Sequence, residues 1–114
     1  NNTALSFQNG NRNTANTLQI ASMGSSSLIV QDASDSAAYV RQTGSNHNSA
    51  VLQSGDYSVA YVDQGGSGNN SLIIQDGVGS GNNPNVASVT QRNSGQNSLV
   101  FQQGRGNIAS VIQN

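Results

Sequence analysis

The chain has 114 residues, of which 33% are hydrophobic, 4% aromatic and 8% charged, and its net charge is -1. Four dispersed arginines, Arg12, Arg41, Arg92 and Arg105, cannot neutralise many phosphates, which argues against nucleic acid, and no run of about eighteen apolar residues offers a membrane span. Lys, Glu, Cys and Trp are absent while Asn, Ser, Gln and Gly dominate, a charge-poor composition prone to β-aggregation rather than one typical of a globular enzyme.

In chain order, the first predicted element is a loose pair of strands, Asn2 to Gln8 and Asn16 to Ser22, with Ser22 where a glutamine is expected. Regular units follow in two alternating kinds. The first kind runs from Ser26 to Gln31, Asn48 to Gln53, Asn70 to Gln75 and Asn97 to Gln102. The second runs from Ser36 to Gln42, Ser58 to Gln64, Asn85 to Gln91 and Asn107 to Gln113. Each unit is a short strand ending in Gln, and Gly10, Gly44, Gly55, Gly66, Gly77 and Gly104 mark turns two residues later. Within Asp76 to Pro84 a five-residue insertion breaks the series, which predicts a surface loop or bulge.

One strand–turn–strand unit therefore occupies 22 residues. The predicted fold is all-β: a β-solenoid of five such repeats, 1–24, 25–46, 47–68, 69–95 and 96–114, with two parallel in-register sheets stacking into a cross-β fibre. Alternation places Ala38 and Val40, Ala60 and Val62, Ala87 and Val89, and Ala109 and Val111 inward with the flanking Ser or Asn and the terminal Gln. A buried carboxamide without partners costs about 1–3 kcal/mol, and stacking at about 4.7–4.8 Å lets each one bond to the next. The expected ladder is Gln8, Gln31, Gln42, Gln53, Gln64, Gln75, Gln91, Gln102 and Gln113.

With Ser27, Ile29 and Gln31 inward, the outward face of the first kind of strand is apolar. Its expected members are Leu5, Phe7, Leu28, Val30, Leu52, Leu72, Ile74, Leu99 and Phe101, a candidate lateral interface with another fibre or a surface. Ala50 interrupts one column, and the opposite sheet is expected to show only Ile112 and Ala21 among mostly polar outward positions. The regular unit Asn107 to Gln113 in the last repeat has no charge or proline to block its edge, whereas repeat one loses its second Gln to Ser22; growth is expected mainly at the C-terminal repeat.

The recurring Ser/Asn-x-Ala-x-Val-x-Gln followed by x-Gly resembles the curlin repeat of bacterial curli fibres over essentially the whole chain. The stretch Gly55 to Ser67 is similar to a segment of the minor, nucleating curlin, while the regular final repeat is unlike that subunit's basic last repeat. The resemblance implies a structural subunit, either the major one or the nucleator, of an extracellular functional amyloid in biofilm matrix. It implies secretion through a dedicated outer-membrane pore with chaperones, attachment at the cell surface, and as partners itself and a paralogous curlin. The family's N-terminal targeting segment does not precede repeat one, which implies a processed or core fragment.

No catalytic constellation and no cofactor is expected. His47 is the only histidine and is placed at the start of a rung near Ser25 and Asn69. Asp32, Asp35, Asp56, Asp63 and Asp76 read as solubilising turn or outward residues. The stretch Gly65 to Asn69 lacks the repeated Asp of calcium-binding solenoids, arguing against metal. The alternative is a monomeric surface-adhesive or ice-binding solenoid; Thr3, Thr14, Thr17, Thr43 and Thr90 form no column to support it.

Overall fold

A computed structural model describes residues 1–114 except the side chains of Ala21 and Ser22. It contains ten strands: β1 (Thr3–Asn9), β2 (Thr14–Met23), β3 (Ser26–Asp32), β4 (Ala37–Ser45), β5 (Asn48–Gln53), β6 (Ser58–Ser67), β7 (Asn70–Asp76), β8 (Asn85–Gln91), β9 (Asn97–Gln103) and β10 (Ile108–Gln113). Odd strands form one sheet in the order β1-β3-β5-β7-β9, and even strands the other, β2-β4-β6-β8-β10. All neighbours are parallel and pair like with like: Leu28 lies beside Ala50, Ala50 beside Leu72, Gln31 beside Gln53. Each rung is one odd and one even strand, and five rungs make a β-solenoid. The step between rungs is 22 residues in the middle, 23 at the first step and 27 where the insertion lies.

Strand parity sets what is buried. Ile29, Val51, Ile73 and Val100 from the odd sheet meet Ala38, Val40, Ala60, Val62, Ala87 and Val89 from the even sheet. The core is one layer of small side chains between two sheets, as period-two alternation requires. It is bounded by a column of buried glutamines at one end of each sheet and of buried Ser, Asn and His47 at the other.

The first rung differs from the reading of the sequence. Its second strand pairs Ala15 with Ala38, Thr17 with Val40 and Gln19 with Gln42. The repeat is thus Asn13-x-Ala15-x-Thr17-x-Gln19, so Gln19 fills the place assigned to Ser22; the side chains of Ser22 and Ala21 lie outside the described residues. What weakens rung one is its core: Ser6 pairs with Ile29 and Thr17 with Val40, so hydroxyls stand where later rungs place branched apolar side chains. The corrected register also turns Leu18 and Ile20 outward, and Val59, Val86 and Ile108 share that parity, so the even sheet is less polar outside than expected.

The insertion folds into a small surface hairpin. Ser80 and Asn83 exchange backbone hydrogen bonds of 3.0 and 3.1 Å, residues 80–83 are exposed, and Asn85 re-enters the stack. The tight turns put the backbones of adjacent rungs in contact. At Gly44, with φ 120°, a Cβ would overlap the Gly66 carbonyl of the next rung, so both the conformation and the packing demand glycine. Gly44→Ala is expected to lower the urea midpoint of the folded chain by more than about 1 kcal/mol equivalent, opposite in sign to the gain of about 0.4–1 kcal/mol that glycine replacement brings where φ is compatible. Gly81→Ala, whose added methyl meets only Tyr57 at 3.8 Å, should leave the midpoint within error; equal midpoints for the two variants would contradict the packing argument.

Candidate assembly interface

The glutamines form two continuous ladders. In the odd sheet Gln8 Nε2 donates to Gln31 Oε1, Gln31 to Gln53, Gln53 to Gln75 and Gln75 to Gln102, each at 2.8 Å. In the even sheet Gln19 donates to Gln42, Gln42 to Gln64, Gln64 to Gln91 and Gln91 to Gln113, at 2.8–3.0 Å. The structure thus places all nine expected ladder residues in two columns and adds Gln19. The missed signal was visible: Gln19 lies eleven residues after Gln8.

The same Nε2 atoms bond across the core. Gln31 donates to the Thr14 carbonyl, Gln53 to Ala37, Gln75 to Val59 and Gln102 to Val86, at 2.8–3.1 Å. Gln42, Gln64, Gln91 and Gln113 return the bond to Ser26, Asn48, Asn70 and Asn97 of the odd sheet, at 3.0–3.3 Å. One N–H therefore runs along the stack and the other ties the two sheets. Asn is a methylene shorter, Glu has no N–H and Leu has neither polar function.

A second type of ladder, with side chain to backbone bonds, sits at the strand starts. Ser25 N–H donates to Asn2 Oδ1, His47 N–H to Ser25 Oγ, Asn69 N–H to His47 Nδ1 and Gln96 N–H to Asn69 Oδ1. In the even sheet Ser36 bonds to Asn13, Ser58 to Ser36 and Asn107 to Asn85 in the same sense. His47 stands between Ser25 and Asn69, its Nε2–H donating to the Thr43 carbonyl at 3.1 Å and Nδ1 accepting. This mirrors the Asn69 amide, which donates to the Gly65 carbonyl four residues back.

Charged residues lie outside. Arg41 meets Asp63 at 3.4 Å with both side chains about half exposed, and Tyr39 stacks on Tyr61 beside them. Arg12 pairs with Asp35 across adjacent rungs, and the guanidinium hydrogen bonds hold the Asp35 carboxyl below its ordinary range. That contribution is present at neutral pH and fades as pH falls through the lowered value; in open solvent it is small. The described residues contain no group of three His, Cys, Asp or Glu that could hold a metal ion.

The apolar face is laid out along the odd sheet. Leu5, Phe7, Leu52, Leu99 and Phe101 are exposed, and Leu28, Val30, Leu72 and Ile74 half-buried by neighbours on adjacent rungs. The stack's two ends are also open edges. β1 and β9 terminate the odd sheet, β2 and β10 the even one. Among the described residues, Gln8 and Gln19 Oε1 at one end accept no bond, while Gln102 and Gln113 Nε2 at the other each make only the cross-core bond to a carbonyl. Of four buried side-chain polar atoms without a partner among the described residues, Gln96 Oε1 and Ser98 Oγ belong to the last rung.

No family model matches the chain, and no curated protein matches it.

The ladders carry two predictions. Replacing Gln53 and Gln75 with Leu removes three successive ladder bonds, from Gln31 to Gln102, and two cross-core bonds, so denaturant unfolding should show a loss of several kcal/mol at about 1–3 per orphaned group. Replacing Arg41 and Asp63 with Ala should change stability by about 0–1 kcal/mol. The opposite ranking would show that charge, not the amide ladder, holds the rungs together. At the histidine, His47→Asn should be nearly neutral because Asn69 performs the same role one rung on, whereas His47→Leu should cost about 1–3 kcal/mol by orphaning the Asn69 N–H; equal losses would remove His47 from the ladder.

Proposed function

We propose that this chain is a curlin-type structural subunit of an extracellular functional amyloid, assembling by end-to-end stacking of rungs. The observation that supports this most is the match between its two ends. One end offers the Oε1 atoms of Gln8 and Gln19, the other the remaining N–H groups of Gln102 and Gln113, in the same two columns and the same donor sense as every internal step. A second copy set on the last rung continues both glutamine ladders and aligns Leu99 with Leu5 and Phe101 with Phe7. Edge strands β9 and β10 contain no charge, proline or bulge, the devices that usually prevent edge pairing. Such a head-to-tail contact does not close on itself, so it grows a filament. The repeat pattern, resembling curlin, supports placing this fibre at the cell surface in biofilm matrix, with itself and a paralogous curlin as partners and no catalytic role.

Dilute purified protein should convert to thioflavin-positive fibres with reflections near 4.7–4.8 and about 10 Å; protein that stays monomeric at high concentration would overturn the reading. Seeding of a major curlin by trace amounts would mark the chain as nucleator, and failure to seed as major subunit. Removing residues 96–114 should slow elongation more than removing 1–24, because the first rung brings Ser6 and Thr17 to the core where the last brings Val100 and Val111. Equal elongation rates for the two truncations would refute this asymmetry.

A further inference from the structure

The odd sheet's outer face has two apolar columns, framed by polar ones at the strand starts and strand ends. The start column contains Ser26, Asn48, Asn70 and Asn97; the end column contains Asp32 and Asp76, on the second and fourth rungs. No charge interrupts the apolar columns, unlike the outer face of the even sheet, where Arg41 and Asp63 occupy the middle of the stack. We propose that this face pairs with the same face of a second copy, about a two-fold axis parallel to the fibre, so that paired fibres run in the same direction with rungs level. The proposal rests on the stacking function above and adds which face pairs and in what polarity.

Size and charge select that arrangement. Two sheets packing face to face in full overlap have two symmetric choices. An axis along the strands reverses the fibre direction and sets each column on itself, second rung against fourth. Ala50 then faces Ala50, leaving a gap, Phe7 faces Phe101, giving a clash of height, and Asp32 faces Asp76, carboxylate against carboxylate. Moved along a fibre to the second or fourth rung, the same axis sets Asp32 or Asp76 on itself, and on the first or fifth it sets Phe7 or Phe101 on itself. An axis along the fibre reverses the strands and keeps rungs level. Residues at 28 then face 30, and 26 face 32. Ala50 is filled by the partner's Leu52, which is 37% exposed. Asp76 faces the partner's Asn70, whose amide can donate, and Asp32 faces Ser26, whose hydroxyl can donate. Every acidic group meets a donor and the one recess meets a protruding side chain.

Area explains why pairing follows elongation. A panel seven residues wide and five rungs tall measures about 23 by 24 Å, roughly 550 Å². A stable interface takes about 800 Å² per partner, so one molecule falls short and two stacked molecules exceed it. Single subunits stay laterally unpaired and fibres bundle.

The chain has no cysteine, so thiols can be placed at will. Leu28→Cys and Val30→Cys chains, mixed and assembled, are treated with a short thiol-to-thiol cross-linker, because facing backbones about 10 Å apart are beyond disulfide reach. Within one fibre position 28 of one copy lies five rungs, about 24 Å, from position 30 of the next and three rungs, about 14 Å, from position 72 of its neighbour, so a cross-linker spanning less than about 10 Å between sulfurs joins only laterally facing copies. The level arrangement yields covalent dimers from the 28 plus 30 mixture several-fold above those from a Leu28→Cys plus Leu72→Cys mixture. The reverse ranking overturns the polarity. Bundled fibres with no dimer in either mixture, or fibres that never bundle, overturn the face. If Leu28→Cys prevents assembly, Leu72→Cys with Ile74→Cys provides the same test two rungs on. Failure of the unmodified protein to form fibres at all, seen by electron microscopy and thioflavin, overturns the stacking function instead and takes the pairing with it.

Discussion

The carboxamide is the group on which this structure depends. A buried Gln has two donors and an acceptor to satisfy, and no single strand–turn–strand unit can satisfy them. Along the stack Oε1 needs the rung below and one N–H needs the rung above; the other N–H needs a carbonyl of the facing sheet. Gln53 shows the whole set, accepting from Gln31 and donating to Gln75 and to the Ala37 carbonyl. Satisfying one glutamine thus fixes the parallel register, the rung spacing and the separation of the two sheets together. The solenoid is the arrangement in which that demand is met at every rung except the first and the last.

The apolar core follows from the same geometry. Glutamines bridging both sheets at each end leave room for a few inward residues per strand, and the facing pair is small, Ala and Val against Ile or Val. A core this thin would be marginal in a globular domain of such size. Here the backbone ladder, the amide ladder and the Ser, Asn and His47 bonds to backbone N–H add along one axis, and each further rung repeats the full set. Stability therefore grows with the number of rungs, and the chain's own five are the smallest part of the series that a fibre extends.

Repetition made most of this legible in the sequence. The spacing of Gln31 to Gln75 carried the fold, the parity and nine ladder positions because in-register stacking demands the same residue type in each column. Repeat one is the exception, because Thr17 replaces Val and Ser6 replaces Ile or Val. Without those apolar marks the pattern points to a strand ending at Ser22 rather than at Gln19, which leaves Leu18 and Ile20 off the outward face. The bonds from Ser25, Asn69 and Asn85 to backbone N–H groups were not legible as bonds. Ser and Asn at a strand start are equally natural as turn residues, and only the register shows that each accepts from the next rung.

The scarcity of charge has the same origin. In a parallel in-register stack, residues one period apart are neighbours at about 4.8 Å, where like charges repel by about 0.9 kcal/mol even in water. A residue type that recurs with the repeat cannot therefore be ionised. The five aspartates obey this rule. Asp32 lies between Asn9 and Ser54, Asp63 between Arg41 and Thr90, Asp35 next to Arg12, and Asp76 between Ser54 and Gln103. Asp56 is spent on the Ser34 backbone N–H. No carboxylate stands directly above another, and two of the five have an arginine beside them in the stack. Neutral amides and hydroxyls carry no such penalty and gain by repetition, since each is both donor and acceptor. A sequence poor in Lys and Glu and rich in Gln, Asn and Ser is thus what periodic stacking selects, quite apart from any need to aggregate.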